Sequence, residues 1–217
     1  LAVLRVLGHQ IGIHGYSHRS MVESLEETEA VRFQSLTVIQ EAVPSQLVFP
    51  SFAYPFGHYD TSTVKAVSEF YRYFHTVSPG YWDGRAKLLP RMLITSDKSK
   101  EFFQEYLLTS SQFQPSLVSL TTDGAVTNVV PFRMIRPVSL QNLEIVAVSA
   151  DREGYLYSGY PAADVVSIEG STILFDIRKY LGLFFKDTRK VLSYAFVTKE
   201  GSSLRYLSSG QTHWVKQ

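Results

Sequence analysis

The pattern of this 217-residue chain changes near residue 109, and that change constrains the fold more than any other feature. Before it, apolar runs of strand length alternate with amphipathic helical stretches, which is typical of a parallel sheet covered by helices. After it, short β-rich runs follow one another and no convincing helical period occurs. We therefore predict an α/β domain over residues 1–110 and an all-β, sandwich-like domain over residues 116–217.

The predicted elements follow from hydrophobic periodicity and from Gly and Pro positions. Helices are expected at 1–7, 23–42, 61–71 and 99–108, and strands of the first domain at 9–13, 47–53, 73–77 and 88–95. The strands expected in the second domain are 116–121, 126–136, 143–150, 154–158, 165–168, 172–176, 191–198, 203–207 and 213–216.

Composition narrows the possible functions. The 21 Lys and Arg residues nearly balance 20 Asp and Glu residues and are scattered, so nothing indicates a nucleic-acid partner. The chain has no Cys, which leaves His, Asp and Glu as metal ligands. No apolar run approaches the roughly 18 residues of a membrane span. Because Leu1 begins inside a helical pattern, we expect further residues, and any targeting signal, upstream.

Two histidines carry the strongest chemical signal. His14 follows the predicted strand 9–13, and His18 lies in the loop after it. The loop returns His18 to the neighbourhood of His14, where two imidazoles can bind one divalent metal. The alternative is a pair of ordinary surface or packed histidines, since His-x-x-x-His alone is a weak motif.

Two further segments are expected beside the histidines. Ser51-Phe-Ala-Tyr-Pro-Phe-Gly57 follows the next strand, and Leu89-Pro-Arg91 opens the last one. Strand ends and their loops share one face in a sheet of this type, and active sites form there. We therefore expect the three segments to meet at one cleft.

The chain resembles the polysaccharide deacetylase family in four segments and in their order along the sequence. These segments are the His14–His18 loop, the Tyr54-Pro-Phe-Gly57 element, Pro79-Gly80 and Leu89-Pro-Arg91. This family is the fourth carbohydrate esterase family, here in its Tyr-Pro-Tyr-Gly type branch, and the resemblance covers residues 1 to about 108. It implies part of a deformed (β/α) barrel and a hydrolase that acts on carbon–nitrogen bonds other than peptide bonds. The implied substrate and partner is an N-acetylglucosamine-containing polysaccharide, and the implied location is extracellular or the cell envelope.

The resemblance also implies roles for residues. His14 and His18 would bind a divalent metal, most simply zinc. The third ligand and the general base would come from an Asp-Asp pair upstream of the histidines, and this sequence contains no such pair. We therefore expect the start of the catalytic domain to be missing and this chain alone to be inactive.

The Tyr54-Pro-Phe-Gly57 element is expected to build the substrate side of the site. By analogy with the family, the backbone N–H of Phe56 would donate to the developing oxyanion, Tyr54 and Pro55 would shape the turn, and Gly57 would allow close approach. The residues 54–57 and His58 would contact substrate. An aromatic turn that only ends a strand is the alternative.

The roles of Arg91 and His58 each have two interpretations, one functional and one not. Arg91 would orient the catalytic carboxylate or steady the oxyanion, or it is a solvated strand-end residue. His58 would contact the sugar or assist protonation, although a surface histidine is the preferred interpretation. The chain departs from the family at Gly15, where Ser or Thr is usual, and at Phe52-Ala53, where an Arg often stands.

The second domain resembles no family that we recognise. Its aromatic residues would stack on sugar rings or, as strand aromatics usually do, pack in the core. A non-catalytic glycan-binding or surface-assembly protein on a degenerate deacetylase fold is the competing functional hypothesis. The aromatic residues in question are Tyr155, Tyr157, Tyr160 and Trp214.

Overall fold

The computed structural model divides the chain into two compact units. The first comprises Leu1–Thr76 with Lys87–Leu89, and the second comprises Val77–Ala86 with Pro90–Gln217. Together they form a mixed α/β protein with mostly sheet and few helices, and the described residues form no closed barrel. The residues that the structure describes are 2–42, 50–81, 87–91, 100, 104, 113–151, 154–185, 190–200 and 203–216.

The division between the units lies earlier than the boundary predicted at 110–116, much of which falls outside the described residues. Residues 78 and 81 belong to the second unit through specific contacts. The Ser78 hydroxyl lies 2.8 Å from the Thr212 hydroxyl, and the Tyr81 ring centre lies 5.0 Å from that of Tyr206. These long-range contacts leave no local sequence signal, and the predicted boundary stays a prediction.

The first unit is built on a small parallel sheet. Strands β1 (Ser51–Ala53), β2 (Tyr73–His75) and β3 (Leu88–Leu89) pair in that order, and Ile13 adds a parallel bridge to Phe52. The predicted strand 9–13 therefore reduces to one bridge. Positions 47–49 and 92–95 of the predicted strands lie outside the described residues.

Four helices accompany this sheet among the described residues: α1 (Ala2–Val6), α2 (Leu25–Phe33), α3 (Ser35–Ala42) and α4 (Thr61–Val67). The helix predicted over 23–42 is two helices, because α2 ends at the Gln34 cap, whose N–H donates to Ala30. The helix predicted over 61–71 ends at Val67, where the Ser68 hydroxyl bonds the Lys65 carbonyl and competes with helix continuation. Apart from 100 and 104, the predicted helix 99–108 lies outside the described residues.

Capping side chains explain where two of these helices begin. The Ser24 hydroxyl accepts from the N–H of Glu27, and the Asp60 carboxylate accepts from the N–H of Thr63 within a full capping box. The helices then pack over a core that joins the sheet to the loops. Its buried members are Ile13, Met21, Val31, Phe52, Tyr54, Tyr59, Val67, Tyr71 and Phe74.

The second unit consists of two antiparallel sheets. One contains β6 (Leu143–Asp151), β7 (Gly154–Pro161), β10 (Val191–Glu200), β11 (Ser203–Tyr206) and β12 (Gln211–Trp214). The other contains β4 (Leu117–Ser119), β5 (Val129–Met134), β8 (Val166–Glu169) and β9 (Thr172–Asp176). Each of the nine predicted strands has a counterpart, so the β-rich part of the prediction is confirmed.

Aromatic side chains join the two sheets of this unit face to face. The Phe132 ring of one sheet lies 4.9 Å from the Phe196 ring of the other, and Phe175 lies 4.8 Å from Tyr194. Strand β10 is buried from Val191 to Val197, because it pairs with β6 on one side and with β11 and β12 on the other. The arrangement is a β-sandwich.

The expectation of no helix in the second half is wrong. Helix α5 (Ile177–Phe184) directly follows β9, and the Asp176 carboxylate caps it by accepting from the N–H of Lys179 at 2.8 Å. Ile177, Tyr180 and Leu181 face the core at helical spacing. Across the described residues, no helix is both long and apolar enough to cross a membrane.

Candidate functional site

His14 is held at the edge of the parallel sheet by main-chain pairing. The N–H of Ile13 donates to Ser51 at 3.0 Å, and the N–H of Ala53 donates back to Ile13 at 2.8 Å. The next residue, His14, is exposed, and its Nδ1 lies 2.9 Å from the carbonyl oxygen of Ala53. A carbonyl can only accept, so Nδ1 carries a proton, and in the neutral imidazole the lone pair is then on Nε2.

His18 lies beside His14, as the sequence predicted. The two ring centres are 4.9 Å apart with their planes at 74°. Gly15 permits the return of the chain, since its φ is +82°. His18 itself has a φ of +55°, an unfavourable backbone for a residue with a Cβ. The loop conformation thus brings the two imidazoles together at a local energetic cost.

The turn at residues 55–57 lies next to the histidines. Gly57 N–H donates to the Tyr54 carbonyl at 2.9 Å and His58 N–H to the Pro55 carbonyl at 3.1 Å, which forms a single 3-10 turn. Phe56 has a φ of +57°, and its half-buried ring lies 4.8 Å from the His18 ring. His18 and Phe56 are the non-glycine residues with positive φ in the described part of the chain. Backbone strain of this kind tends to concentrate at functional sites.

Tyr54, predicted to contact substrate, is a core residue in this structure. Its side chain has no exposed surface, and its ring packs 5.0 Å from Phe52 and 5.2 Å from Tyr59. Burial, with a smaller contribution from the Asp60 carboxylate, raises the pKa of Tyr54 well above its ordinary value. Within the part of the chain that the structure describes, its buried hydroxyl has no hydrogen-bond partner. The Tyr54 side chain therefore shapes the turn from beneath.

Pro55, Gly57 and His58 are also buried, which leaves the half-buried Phe56 as the side chain of this turn most open to a ligand. The preferred interpretation of His58 as a surface residue is wrong, because it is 6% exposed and its Nδ1 lies 3.2 Å from the Ser20 hydroxyl. Its hydrogen-bond partner, Ser20, lies 38 positions away in sequence.

Arg91 belongs to the second unit, where its backbone N–H donates to the Ser78 carbonyl at 3.1 Å. Both roles predicted for Arg91 at the histidine site stay predictions.

Glu27 lies against the loop between the two histidines, and the sequence did not predict this position. It is 2% exposed, and its carboxylate accepts hydrogen bonds from the N–H groups of Tyr16 and Ser17 and from the Ser17 hydroxyl. The signal that could have found it is Ser24-x-x-Glu27, which resembles a capping box. Here the Glu27 carboxylate holds the loop between the two histidines.

The spacing of the His14 and His18 ring centres is compatible with a shared divalent metal, and it is also the spacing of an ordinary edge-to-face ring contact. Two imidazoles on one zinc ion, with zinc–nitrogen distances of about 2.1 Å and near-tetrahedral angles, have ring centres roughly 5 Å apart. The Nδ1–H of His14 bonded to a backbone carbonyl is the usual outer contact of a metal-binding histidine. Within the described ranges, however, no cluster of three His, Cys, Asp or Glu side chains surrounds a common point.

The second unit carries its own surface features. Of the aromatic residues proposed to stack on sugars, Trp214 is only 8% exposed, so its role is packing. Tyr160 is 39% exposed and stacks on Phe184 with ring centres 4.1 Å apart. A separate cleft of about 220 Å³ is lined by residues that include Asp123, Ser119 and Gln211. The side chains of Tyr155 and Tyr157 lie outside the described part.

Comparison with protein-family models matches no family, and comparison with curated proteins matches none of them.

Proposed function

We propose that this chain contributes to a metal-dependent hydrolase that removes N-acetyl groups from a polysaccharide. The observation that carries the proposal is the pair of His14 and His18 rings, 4.9 Å apart beside the strained Phe56 turn. The resemblance to polysaccharide deacetylases supports the reaction, a deformed (β/α) barrel as the finer fold, and an extracellular or cell-envelope location.

The residues of the chain have distinct roles in this proposal. His14 presents Nε2 because the Ala53 carbonyl holds the proton on Nδ1. His18 adds a second imidazole, and its positive φ directs the loop back towards His14. A divalent metal bound there, most simply zinc, would supply a Lewis acid and would lower the pKa of its bound water. The two histidines account for two ligands, and the described residues provide no third.

The Phe56 turn would supply the donor for the oxyanion. Within the described residues, the neighbouring N–H groups of Gly57 and His58 donate to carbonyls of the turn, whereas that of Phe56 donates to none of them. A backbone donor fixed beside a reacting carbonyl stabilises the negative charge that develops on its oxygen. Gly57 and Pro55 lie buried around the turn, which leaves the Phe56 ring as the expected contact with the sugar.

The general base is not assigned to a described residue. Asp60 is the carboxylate closest in sequence to the turn, but it caps α4 by accepting from Thr63 at 2.8 Å and from the Ser62 hydroxyl. Glu27 is likewise committed to the N–H groups of the histidine loop.

The test combines metal affinity with acetate release. Zinc binding is measured by calorimetry on the chain, and acetate release from an acetylated glucosamine oligomer is measured on the natural protein. His14→Ala and His18→Ala should each weaken zinc binding by at least about tenfold and abolish release. His9→Ala, which removes another exposed imidazole, is the matched control and should change neither. Zinc affinity unaltered by both substitutions would reject the proposal.

The exposed Tyr160–Phe184 stack favours a second candidate, a non-catalytic glycan-binding or surface-assembly protein. Stacked, partly exposed aromatic rings present an apolar face that sugar rings can cover. This candidate predicts glycan binding that Tyr160→Ala weakens, together with no acetate release from a folded, zinc-loaded protein.

A further inference from the structure

The loop that connects His14 to His18 is held from one side by a single carboxylate. Glu27 Oε1 accepts from the N–H of Tyr16 at 2.6 Å and from the N–H of Ser17 at 3.0 Å. Glu27 Oε2 also accepts from the Ser17 N–H, at 3.1 Å, and from its hydroxyl. Bonds of neutral donors to an ionised carboxylate are stronger than bonds between neutral groups.

Glu27 is itself firmly placed. It lies in the first turn of α2, where its N–H donates to the Ser24 hydroxyl at 3.2 Å. The next residue, Thr28, bonds the Met21 carbonyl at 3.0 Å. The Glu27 side chain is 2% exposed, so these contacts are little weakened by solvent. Helix α2 therefore fixes the position of the carboxylate, and the carboxylate holds the loop through hydrogen bonds.

Close packing at Gly15 links this carboxylate to the Phe56 turn. A Cβ on Gly15 would lie 2.9 Å from Glu27 Oε1 and 2.9 Å from Pro55 Cγ. Such distances are shorter than van der Waals contact, so only glycine fits between the carboxylate and the turn. The histidine loop, Glu27 and the turn thus form one packed group.

We propose that Glu27 is the positioning residue of the histidine pair: its carboxylate holds residues 16 and 17 so that His18 adopts its strained backbone beside His14. The inference rests on the proposed function for its importance to metal binding. The loop contacts themselves do not depend on that function.

The test replaces Glu27 by the isosteric Gln in the whole chain. In Glu27→Gln one acceptor oxygen becomes an NH₂ group facing N–H donors, and the charge is lost. Amide hydrogen exchange should become at least about tenfold faster at Tyr16 and Ser17 and stay unchanged at the core residue Phe74. Zinc affinity should fall by about 10- to 100-fold, as for other residues that orient metal ligands.

Glu26→Gln is the matched control, since it removes the same charge from the adjacent position of α2. The Glu26 side chain is 90% exposed, and its 3.7 Å contact with Arg19 is a surface ion pair. Exchange at residues 16 and 17 and zinc affinity should be unchanged in this variant.

Unchanged exchange at Tyr16 and Ser17 in Glu27→Gln would overturn the inference, as would an equal acceleration at Phe74, which indicates general destabilisation. If Glu27→Gln does not fold, Gly15→Ala tests the same group by displacing the carboxylate, and it should accelerate exchange at the same two amides. Absence of zinc binding in the unmodified chain would reject the proposed function, whereas the exchange data would still decide whether Glu27 holds the loop.

Discussion

The two units use secondary structure in opposite ways. In the first, paired strands are two or three residues long, and the strained residues His18 and Phe56 lie in the loops around them. In the second, β6 and β10 contain nine and ten residues, and the sheets enclose a large aromatic core. In the first unit, loops next to short strands hold the candidate site residues, whereas in the second unit extensive packing provides the stability.

The largest expected effect comes from removing a core ring of the second unit. Phe175 is fully buried and contacts Tyr180, Tyr194 and Phe196. Phe175→Ala should lower the free energy of unfolding by about 3–5 kcal/mol, because it leaves a cavity among these rings. Denaturant unfolding measures the loss, with Val129→Ala, a 42% exposed position, as the control. A loss below about 1 kcal/mol would contradict the conclusion that aromatic packing stabilises the second unit.

The next effect concerns His213 in the same unit. It is fully buried, Nδ1 lies 3.1 Å from the Tyr194 hydroxyl, and Nε2 has no partner at hydrogen-bond geometry among the described residues. Burial lowers the pKa of His213 to about 4 from an ordinary 6.5, although the nearby backbone of Thr122 opposes the shift.

The lowered pKa has a definite consequence for stability. The unfolded chain binds the proton below pH 6.5 and the folded chain only below about 4, so the free energy of unfolding falls as pH drops through this window. The loss should reach about 3 kcal/mol. Urea unfolding between pH 7 and 4 should show a flatter profile in His213→Gln than in the unmodified chain, and His9→Gln should leave the profile unaltered. Equal slopes in all three proteins would contradict the burial argument.

The smallest effect tests the first unit. Tyr54→Phe removes a buried hydroxyl for which the described residues provide no partner, so the free energy of unfolding should stay the same or rise by about 1 kcal/mol. Zinc affinity should be unchanged, since the Tyr54 side chain is enclosed in the core. Thermal unfolding and zinc titration of the variant provide the measurements. A loss of acetate release at unchanged stability would instead indicate that Tyr54 takes part in catalysis.

Part of the site followed from local pattern. The approach of His14 and His18 was predictable, because a strand end followed by a short loop with Gly15 returns the chain within a few residues. The turn at Tyr54-Pro-Phe-Gly57 was predictable for the same reason, since Pro and Gly restrict the local backbone. Helix α5 was missed because Tyr180 and Phe184 also suit a strand, and only the Asp176 cap indicated a helix start.

Local sequence was sufficient to predict the nine strands of the second half, the start of α4 at Thr61 and the approach of His14 and His18, because these depend on neighbours a few residues apart. The tertiary structure alone decided that Tyr54, His58 and Trp214 are buried, and that Glu27 turns to a loop ten residues away. Burial and long-range hydrogen bonding depend on which distant segments pack together, and no local pattern of residues contains that information.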